Sequence, residues 1–178
     1  MDNKIRFLNK ILSILTSNSS SPKLPEVIFL VGTYFFPQVN VEVIVRNNEN
    51  EILYLWRDDL FGNRGWHLPG GIVRPNESLL DRVYEVLISE CNLFGLSEYD
   101  QNVYLGLSEV IQEKKPAIRS HFVSHLFLVD TTVSPVKPES SLFKISKAIP
   151  DELIFSHKRY EDLLYKLSNG IIPLPSIY

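Results

Sequence analysis

Cysteine, long apolar runs and excess charge are all scarce in this 178-residue sequence. The single cysteine, Cys91, excludes an intrachain disulfide, and its apolar neighbours predict a packed core thiol rather than a nucleophile. No apolar run approaches the roughly 20 residues that a membrane-spanning helix needs. The formal net charge of -3 gives no global positive field, so we expect neither a nucleic acid nor a membrane as partner. An anionic ligand would therefore require a local basic cluster.

The length is that of one domain with a hydrophobic core and is short for two. The first 16 residues resemble a signal peptide in outline. However, Lys10 interrupts their apolar part, Asp2 lies in the charged region, and no small-residue cleavage site follows. We therefore predict a cytoplasmic protein.

The chain divides into three segments by pattern. Residues 1–25 are predicted as an amphipathic N-terminal helix followed by a Ser-rich linker, residues 26–170 as the main domain, and residues 171–178 as a C-terminal tail. Within the main domain, runs typical of strands cover residues 27–36, 39–46, 51–56, 103–111 and 122–129. Helices are predicted for residues 76–91, with Asn76 as the N-cap, and for residues 157–167. This order indicates an α+β or α/β sandwich with a mixed sheet.

The most informative stretch is a Gly-rich loop followed by a helix that carries carboxylates. The loop reads Trp66-His67-Leu68-Pro69-Gly70-Gly71. Two glycines after a proline let the backbone approach a ligand closely. A carboxylate from the following helix, together with a backbone carbonyl beside a diphosphate, offers the hard oxygen ligands that suit Mg²⁺.

These residues resemble the Nudix box. The matching box positions are Gly71, Glu77, Leu87, Glu90 and Leu93. The resemblance implies the Nudix-type α/β/α sandwich around a mixed sheet, here with an extra N-terminal helix.

The box is degenerate at four positions. Glu85 stands at the box Arg, Val86 and Ser89 stand at two box carboxylates, and Asn92 stands at the box Gly. Glu85 does not replace a missing ligand, because it lies about 140° around the helix from Glu90. Glu77 thereby loses its usual Arg partner. Either Arg82 partly replaces that partner, or Glu77 is a solvated charge at the helix N-terminus.

One branch of the superfamily, the GDP-mannose mannosyl hydrolases, lacks the same two carboxylates. The similarity covers roughly residues 24–165. It implies that the Gly70 carbonyl and Glu90 hold Mg²⁺ (or Mn²⁺), that Arg57 contacts a diphosphate, and that Glu42 lies near the sugar. It also implies that water attacks the anomeric carbon and releases sugar and nucleoside diphosphate.

The match to that branch is incomplete. The family's Gln-His pair falls in residues 138–141, where Glu139 is either a substitute base or a surface residue. A family arginine is Ile72 here, and Arg74 either compensates or is solvated. In the loop, Trp66 and His67 are candidate substrate-binding residues.

The other histidines leave alternatives open. His121 and His125 lie four apart on one strand, so they share a face, either as a metal-binding pair or as a hydrogen-bonded sheet pair. His157, near the start of the last helix, is placed to reach the cleft.

Two functions follow from these features. The first is a Mg²⁺-dependent hydrolase of a nucleotide-sugar or related nucleoside diphosphate derivative, with cleavage at phosphorus as a variant. The second is a catalytically impaired Nudix domain that binds a nucleotide or a partner. A homodimer is expected from the family resemblance.

Overall fold

The computed structural model describes residues 26–58, 64–93, 102–111, 119–132 and 142–178, together with residue 6. Three helices are present in this part of the chain: α1 (Glu26–Phe35), α2 (Leu79–Ser89) and α3 (Glu161–Ser168), the last preceded by a 3₁₀ helix (Phe155–Tyr160). The strands are β1 (Gln38–Asn47), β2 (Ile52–Asp58), β3 (Arg64–His67), β4 (Gly70–Ile72), β5 (Asn102–Ile111), β6 (His121–Thr131), β7 (Phe143–Ser146) and β8 (Ser176–Ile177).

All eight strands belong to one mixed sheet with the order β3-β2-β1-β6-β5-β8, while β4 pairs with β1 and β7 pairs with β2. The longest pairing is parallel and joins β1 to β6 over ten residues, from Gln38↔Phe122 to Asn47↔Thr131. The strands β5 and β6 pair antiparallel. Because β1 and β6 are parallel, both strands begin at the same end of the sheet.

The alternation of β1 separates two cores on the two faces of the sheet. Val41, Val43 and Val45 lie in one core with the apolar face of α2. Ile44 lies in the other core with the apolar face of α3. Packing of a helix on each face makes an α/β/α sandwich, which confirms the predicted fold class. Cys91 is fully buried in the first core, and burial raises the pKa of its thiol.

The strand predicted for residues 27–36 is wrong, because this segment forms α1. Apart from Gly32 and Thr33 the run is apolar, so it carries neither the alternation of a half-buried strand nor a polar helix face. Its ten residues exceed the usual length of a buried strand and suit a helix of almost three turns.

The predicted N-cap Asn76 is also wrong. The first helix turn is closed by Ser78, whose hydroxyl accepts from the Asp81 amide at 3.1 Å while the Asp81 carboxylate accepts from the Ser78 amide at 3.0 Å. This reciprocal capping box satisfies two helix-terminal donors. Asn76 instead lies in a turn with φ of 63°, a conformation that asparagine tolerates better than most residues.

The two ends of the chain differ in how far their predicted structure can be compared with the described residues. Apart from residue 6, the predicted N-terminal helix and linker lie outside the described residues. The segment predicted as a C-terminal tail contains β8, which pairs in parallel with β5. No helix among the described residues has the length and apolar character needed to cross a membrane.

The segment after β7 pairs with β3 and thereby positions the 3₁₀ helix. The Trp66 amide donates to the Glu152 carbonyl at 2.8 Å, and the Ile154 amide donates to the Trp66 carbonyl at 2.9 Å. Gly65, with φ of 142°, lies so close that a Cβ atom there would stand 2.3 Å from the Glu152 carbonyl oxygen. A side chain at this position would therefore push the C-terminal segment away from β3.

We expect Gly65→Ala to lower the free energy of unfolding by about 1–3 kcal/mol, because it combines a clash with an unfavourable φ. Chemical denaturation measures this change. Gly32→Ala is the matched control, since a Cβ atom at Gly32 meets nothing within 4 Å. In a helix interior this exchange should stabilise by up to about 1 kcal/mol. Equal effects of the two substitutions would contradict the close approach at Gly65.

Candidate active site

The turn between the Gly-rich loop and α2 is held by a buried ion pair. The Arg82 guanidinium contacts both oxygens of Glu77, with Nε donating to Oε2 at 2.8 Å. The same Oε2 accepts from the Arg74 amide at 2.8 Å. Arg82 lies three residues before the box arginine position, which is less than one helical turn. The predicted replacement of the missing arginine is confirmed, and the alternative of a solvated Glu77 is wrong, because both side chains are buried.

The other departures from the box have separate structural effects. Asn92 has φ of 53° at the position of the box glycine, so it adopts the left-handed conformation that glycine or asparagine tolerates. Val86 is buried in the core, and the Ser89 hydroxyl donates to the Glu85 carbonyl at 2.5 Å. The asparagine therefore preserves the backbone path, whereas Val86 and Ser89 supply no carboxylate.

Glu90 is placed at the end of α2, facing the Gly-rich loop. Its Oε2 accepts a hydrogen bond from the Gly70 amide at 3.2 Å. Burial raises the pKa of the Glu90 carboxyl, and the negative charge of Glu42 adds to this effect. The Gly70 amide and the charges of Arg57 and Arg82 act in the opposite direction without cancelling it. Glu90 is thus a half-buried carboxyl group whose charged neighbours include a second carboxylate, Glu42.

Glu42 lies in a buried polar network on the face of the sheet that is opposite the three β1 valines and α2. Its Oε1 accepts from Asn40 Nδ2 at 2.9 Å and from the Ser124 hydroxyl at 3.5 Å. Its Oε2 lies 3.2 Å from His157 Nε2. A Cβ atom at Gly70 would stand 2.9 Å from Glu42 Oε2, so the glycine lets the loop pack against this carboxylate.

A pocket at the end of the sheet where β1 and β6 begin brings these groups together. Two basic side chains, Arg57 and Arg119, and the Glu42–His157 pair line it. Further polar and apolar lining comes from Asn40, His67, Leu68, Gly70, Gly71, Ile72, Val110, Phe122, Ser124, Ile154 and Ser156. The pocket therefore combines cationic groups, hydrogen-bonding groups and an apolar wall, which suits a small organic anion.

The predicted site residues are distributed unevenly about this pocket. Glu42, Arg57, His67 and Gly70 line it, while Glu90 contacts the loop at Gly70. Glu139 lies outside the described residues.

Two further candidates are engaged elsewhere. Trp66 packs edge-on against Trp56 and beneath the Lys144 ammonium group. The Arg74 backbone closes the turn at Glu77. Neither residue belongs to the pocket lining.

The two strand histidines are each hydrogen-bonded to a neighbouring side chain. His121 Nε2 lies 3.0 Å from Glu109 Oε1, and His125 Nδ1 lies 3.1 Å from the Tyr104 hydroxyl. Among the described residues, no cluster of three or more His, Cys, Asp or Glu side chains is arranged to hold a metal ion. The interpretation as a hydrogen-bonded sheet pair fits these contacts, in which each histidine of β6 is bonded to a side chain of β5.

Sequence reasoning did not identify Arg119, Asn40 or Ser124 as site residues. Arg119 precedes β6 and has φ of 57°, an uncommon conformation for a non-glycine residue. Asn40 and Ser124 are opposite each other in the β1–β6 register. The alternation of β1 does place Asn40 on the face of Glu42. Ser124 required knowledge of the parallel register, which a single sequence does not supply.

Solved structures that superpose on this chain include MutT and Nudix proteins. A MutT protein from Methanosarcina mazei Go1 superposes with a TM-score of 0.51 at 20% identity, covering 76% of this chain and 96% of that one. The fold is the Nudix fold. The NUDIX domain of Shewanella oneidensis NrtR, complexed with ADP ribose, gives 0.53 at 15% identity over 83% and 98% of the two chains.

A bifunctional NMN adenylyltransferase/ADP ribose pyrophosphatase from Francisella tularensis, complexed with AMP and a manganese ion, is also similar. Its TM-score is 0.53 at 16% identity, over 92% of this chain and 47% of that one. The sequence itself matches no protein-family model and no curated protein. The Nudix fold is therefore evident from the structure and not from these sequence comparisons.

We expect Arg82→Met and Glu77→Leu to lower the free energy of unfolding by about 3–5 kcal/mol each, because each leaves a buried charge without its partner. The double variant should lose less than the sum of the single losses, since it leaves neither charge behind. Denaturant titration of the three variants and the wild type completes the cycle. Additive losses would contradict the ion pair.

The raised pKa of Glu90 predicts a pH-dependent stability. A carboxyl whose pKa is higher in the folded state binds more protons when folded, so its stabilising contribution is present below the unfolded value of 4.5 and is lost as pH rises through the folded value. In metal-free buffer, Glu90→Gln should therefore gain stability relative to the wild type as pH increases above 4.5. Thermal unfolding at several pH values measures this difference. A constant difference across the series would contradict the shift.

Proposed function

We propose that this chain is a hydrolase of a nucleoside diphosphate derivative, with a nucleotide-sugar as the substrate class. The observation that carries the proposal is that Arg57, Arg119 and the Glu42–His157 pair line one pocket. The chain as a whole has a negative net charge, so an anionic ligand needs a local positive charge. The two guanidinium groups provide it. Guanidinium groups bind phosphate oxygens in a bidentate manner, so they suit a diphosphate.

The similar solved structures support a nucleotide as the ligand. The Shewanella oneidensis domain was solved with ADP ribose, and the Francisella tularensis protein with AMP and manganese. Because the identities are 15% and 16%, these proteins support the class of ligand and leave the base and sugar open.

The residues around Gly70 fit a magnesium ion. The Glu90 carboxylate and the Gly70 carbonyl are hard oxygen donors, and Mg²⁺ in proteins commonly takes one or two such ligands while water and substrate phosphate fill the rest. The pKa of Glu90 is raised, in part by the negative charge of Glu42. A cation bound between these groups and the substrate would reduce the repulsion between the negative charges. When bound there, Mg²⁺ or Mn²⁺ would withdraw negative charge from the diphosphate oxygens.

The chain's own side chains serve binding and orientation. Arg57 and Arg119 bind the diphosphate, so the group attached to its far end extends toward Glu42. Water forms a bond to the anomeric carbon, and the bond from that carbon to the diphosphate oxygen breaks. The electron pair leaves with the nucleoside diphosphate, and the products are free sugar, nucleoside diphosphate and one proton.

A second candidate function is nucleotide or partner binding without hydrolysis. The specific observation in its favour is that Val86 is buried and Ser89 is bonded to the Glu85 carbonyl. Consequently one box carboxylate, Glu90, faces the loop, and the other, Glu77, is used in the ion pair.

The same loss bears on which bond a hydrolase of this kind would break. Nudix hydrolysis at phosphorus relies on more of these carboxylates, so cleavage at the sugar carbon is the reaction that tolerates their loss better.

The test is incubation with nucleotide-sugars that are linked through the anomeric carbon, including GDP-mannose, in the presence of Mg²⁺ or Mn²⁺, with products resolved by chromatography. We expect nucleoside diphosphate and free sugar. ADP-ribose, whose sugar is linked through its 5′ oxygen, lacks the bond that this reaction breaks and is the comparison substrate. Glu90→Gln should abolish turnover. Arg57→Ala should weaken nucleotide binding about 10- to 100-fold, because a charge-assisted contact is lost.

Arg64→Ala is the matched control for Arg57→Ala. Arg64 is an arginine of the adjacent strand, its side chain is 75% exposed, and its ion pair with Asp58 is 3.9 Å long. This variant should bind nucleotide like the wild type. Two monophosphates as products would move the reaction to phosphorus. Binding without turnover would establish the second candidate function.

The homodimer remains a prediction from the family resemblance. Sedimentation of the full chain at micromolar concentration decides it, and a monomer at the highest concentration would contradict it.

A further inference from the structure

The Glu42 carboxylate is almost fully occupied by hydrogen-bond donors. An ionised carboxylate offers about four acceptor positions, two on each oxygen. Asn40 and Ser124 occupy the two positions of Oε1, and His157 occupies one position of Oε2. One acceptor position on Oε2 therefore remains, and Glu42 lines the pocket.

The backbone fixes which nitrogen of His157 carries the proton. The Leu68 amide lies 3.0 Å from His157 Nδ1. A backbone amide only donates, so Nδ1 accepts and carries no proton. The neutral ring then holds its proton on Nε2, the nitrogen that faces Glu42 Oε2. Leu68 is fully buried, so breaking its amide hydrogen bond would leave an unsatisfied donor.

His67 shows the opposite arrangement a short distance away. Its Nδ1 lies 2.7 Å from the Leu55 carbonyl, which only accepts, so Nδ1 of His67 carries the proton. The rings of His67 and His157 are 6.3 Å apart. The pocket therefore contains two histidines with different, backbone-determined tautomers.

We propose that His157 is a positioning residue that orients Glu42 so that the remaining acceptor position of Oε2 receives an O–H group in the pocket. This inference rests on the proposed function. The O–H group belongs either to the attacking water or to a hydroxyl of the sugar. With Nδ1 bonded to Leu68 and Nε2 donating to Glu42, both nitrogens of His157 are already used, so His157 acts through Glu42 and not on the ligand.

The arrangement selects for donors at this point of the pocket. Asn40, Ser124 and His157 all direct donors at Glu42, so the carboxylate presents only acceptor character to the ligand. A ligand oxygen without a hydrogen would face a carboxylate oxygen with no bond between them. A hydroxyl-bearing sugar suits this position, whereas a further phosphate group does not.

The first readout is independent of activity. Long-range ¹H–¹⁵N NMR correlations of the imidazole rings in the full-length wild type should show His157 with the proton on Nε2. His67 should show it on Nδ1 and serves as the internal control. An Nδ1–H tautomer or an imidazolium for His157 at neutral pH would overturn the inference.

The second readout compares His157→Leu, which removes both hydrogen bonds, with His157→Gln, which keeps an N–H donor. The probes are GDP-mannose and GDP in the presence of Mg²⁺. His157→Leu should reduce kcat or the affinity for GDP-mannose about 10- to 100-fold while leaving the affinity for GDP unchanged. His157→Gln should restore part of the loss.

The pattern of loss identifies the O–H group. A lower kcat at unchanged KM assigns it to the attacking water, and a higher KM or Kd for the nucleotide-sugar assigns it to the sugar. Wild-type behaviour of His157→Leu, or equal weakening of nucleotide-sugar and free diphosphate, would overturn the inference. His125→Leu, a histidine bonded to Tyr104 outside the pocket lining, is the control and should behave like the wild type.

If the wild type binds none of these nucleotides, the proposed function fails. The NMR readout then still decides whether His157 positions Glu42, so the two failures are distinguishable.

Discussion

The parallel pairing of β1 with β6 is the contact on which the site depends. Ten consecutive register pairs fix the relative height of the two strands, and the period of two then assigns each side chain to a face. This one register places Asn40 opposite Ser124 and lets both donate to Glu42. A shift by one residue would exchange Glu42 with the buried valines on the other face.

The C-terminal segment completes the site from the other side. Its pairing with β3 depends on Gly65, where the backbones approach too closely for a side chain. The 3₁₀ helix that follows brings His157 between the Leu68 amide and Glu42. Two segments about 90 residues apart in sequence thus share one hydrogen-bonded group, and the pocket forms only when both are docked.

The parts of the fold and of the candidate site that depend on local sequence rules could be predicted from the sequence. The order of strand-like and helix-like runs correctly predicted an α/β/α sandwich, and the nearness of Arg82 in sequence correctly predicted its pairing with Glu77. Local rules failed for α1, where a run that is apolar except at Gly32 and Thr33 has no clear period, and for Asn76, where the Ser78–Asp81 capping box decided the helix start. The contribution of Ser124 and Arg119 depends on strand register and loop conformation, which arise from tertiary packing.

The edge-on contact between Trp56 and Trp66 has a practical consequence. These are the two tryptophans of the chain, and their ring centroids lie 5.3 Å apart across β2 and β3. Nearly all intrinsic emission excited at long wavelength therefore originates from a single spot, beside the strand to which the C-terminal segment binds. Fluorescence of the unmodified protein is a local sensor of that docking, whereas circular dichroism averages over the whole sheet and its helices. A difference between the two signals during unfolding would time the release of the C-terminal segment relative to the loss of the cores.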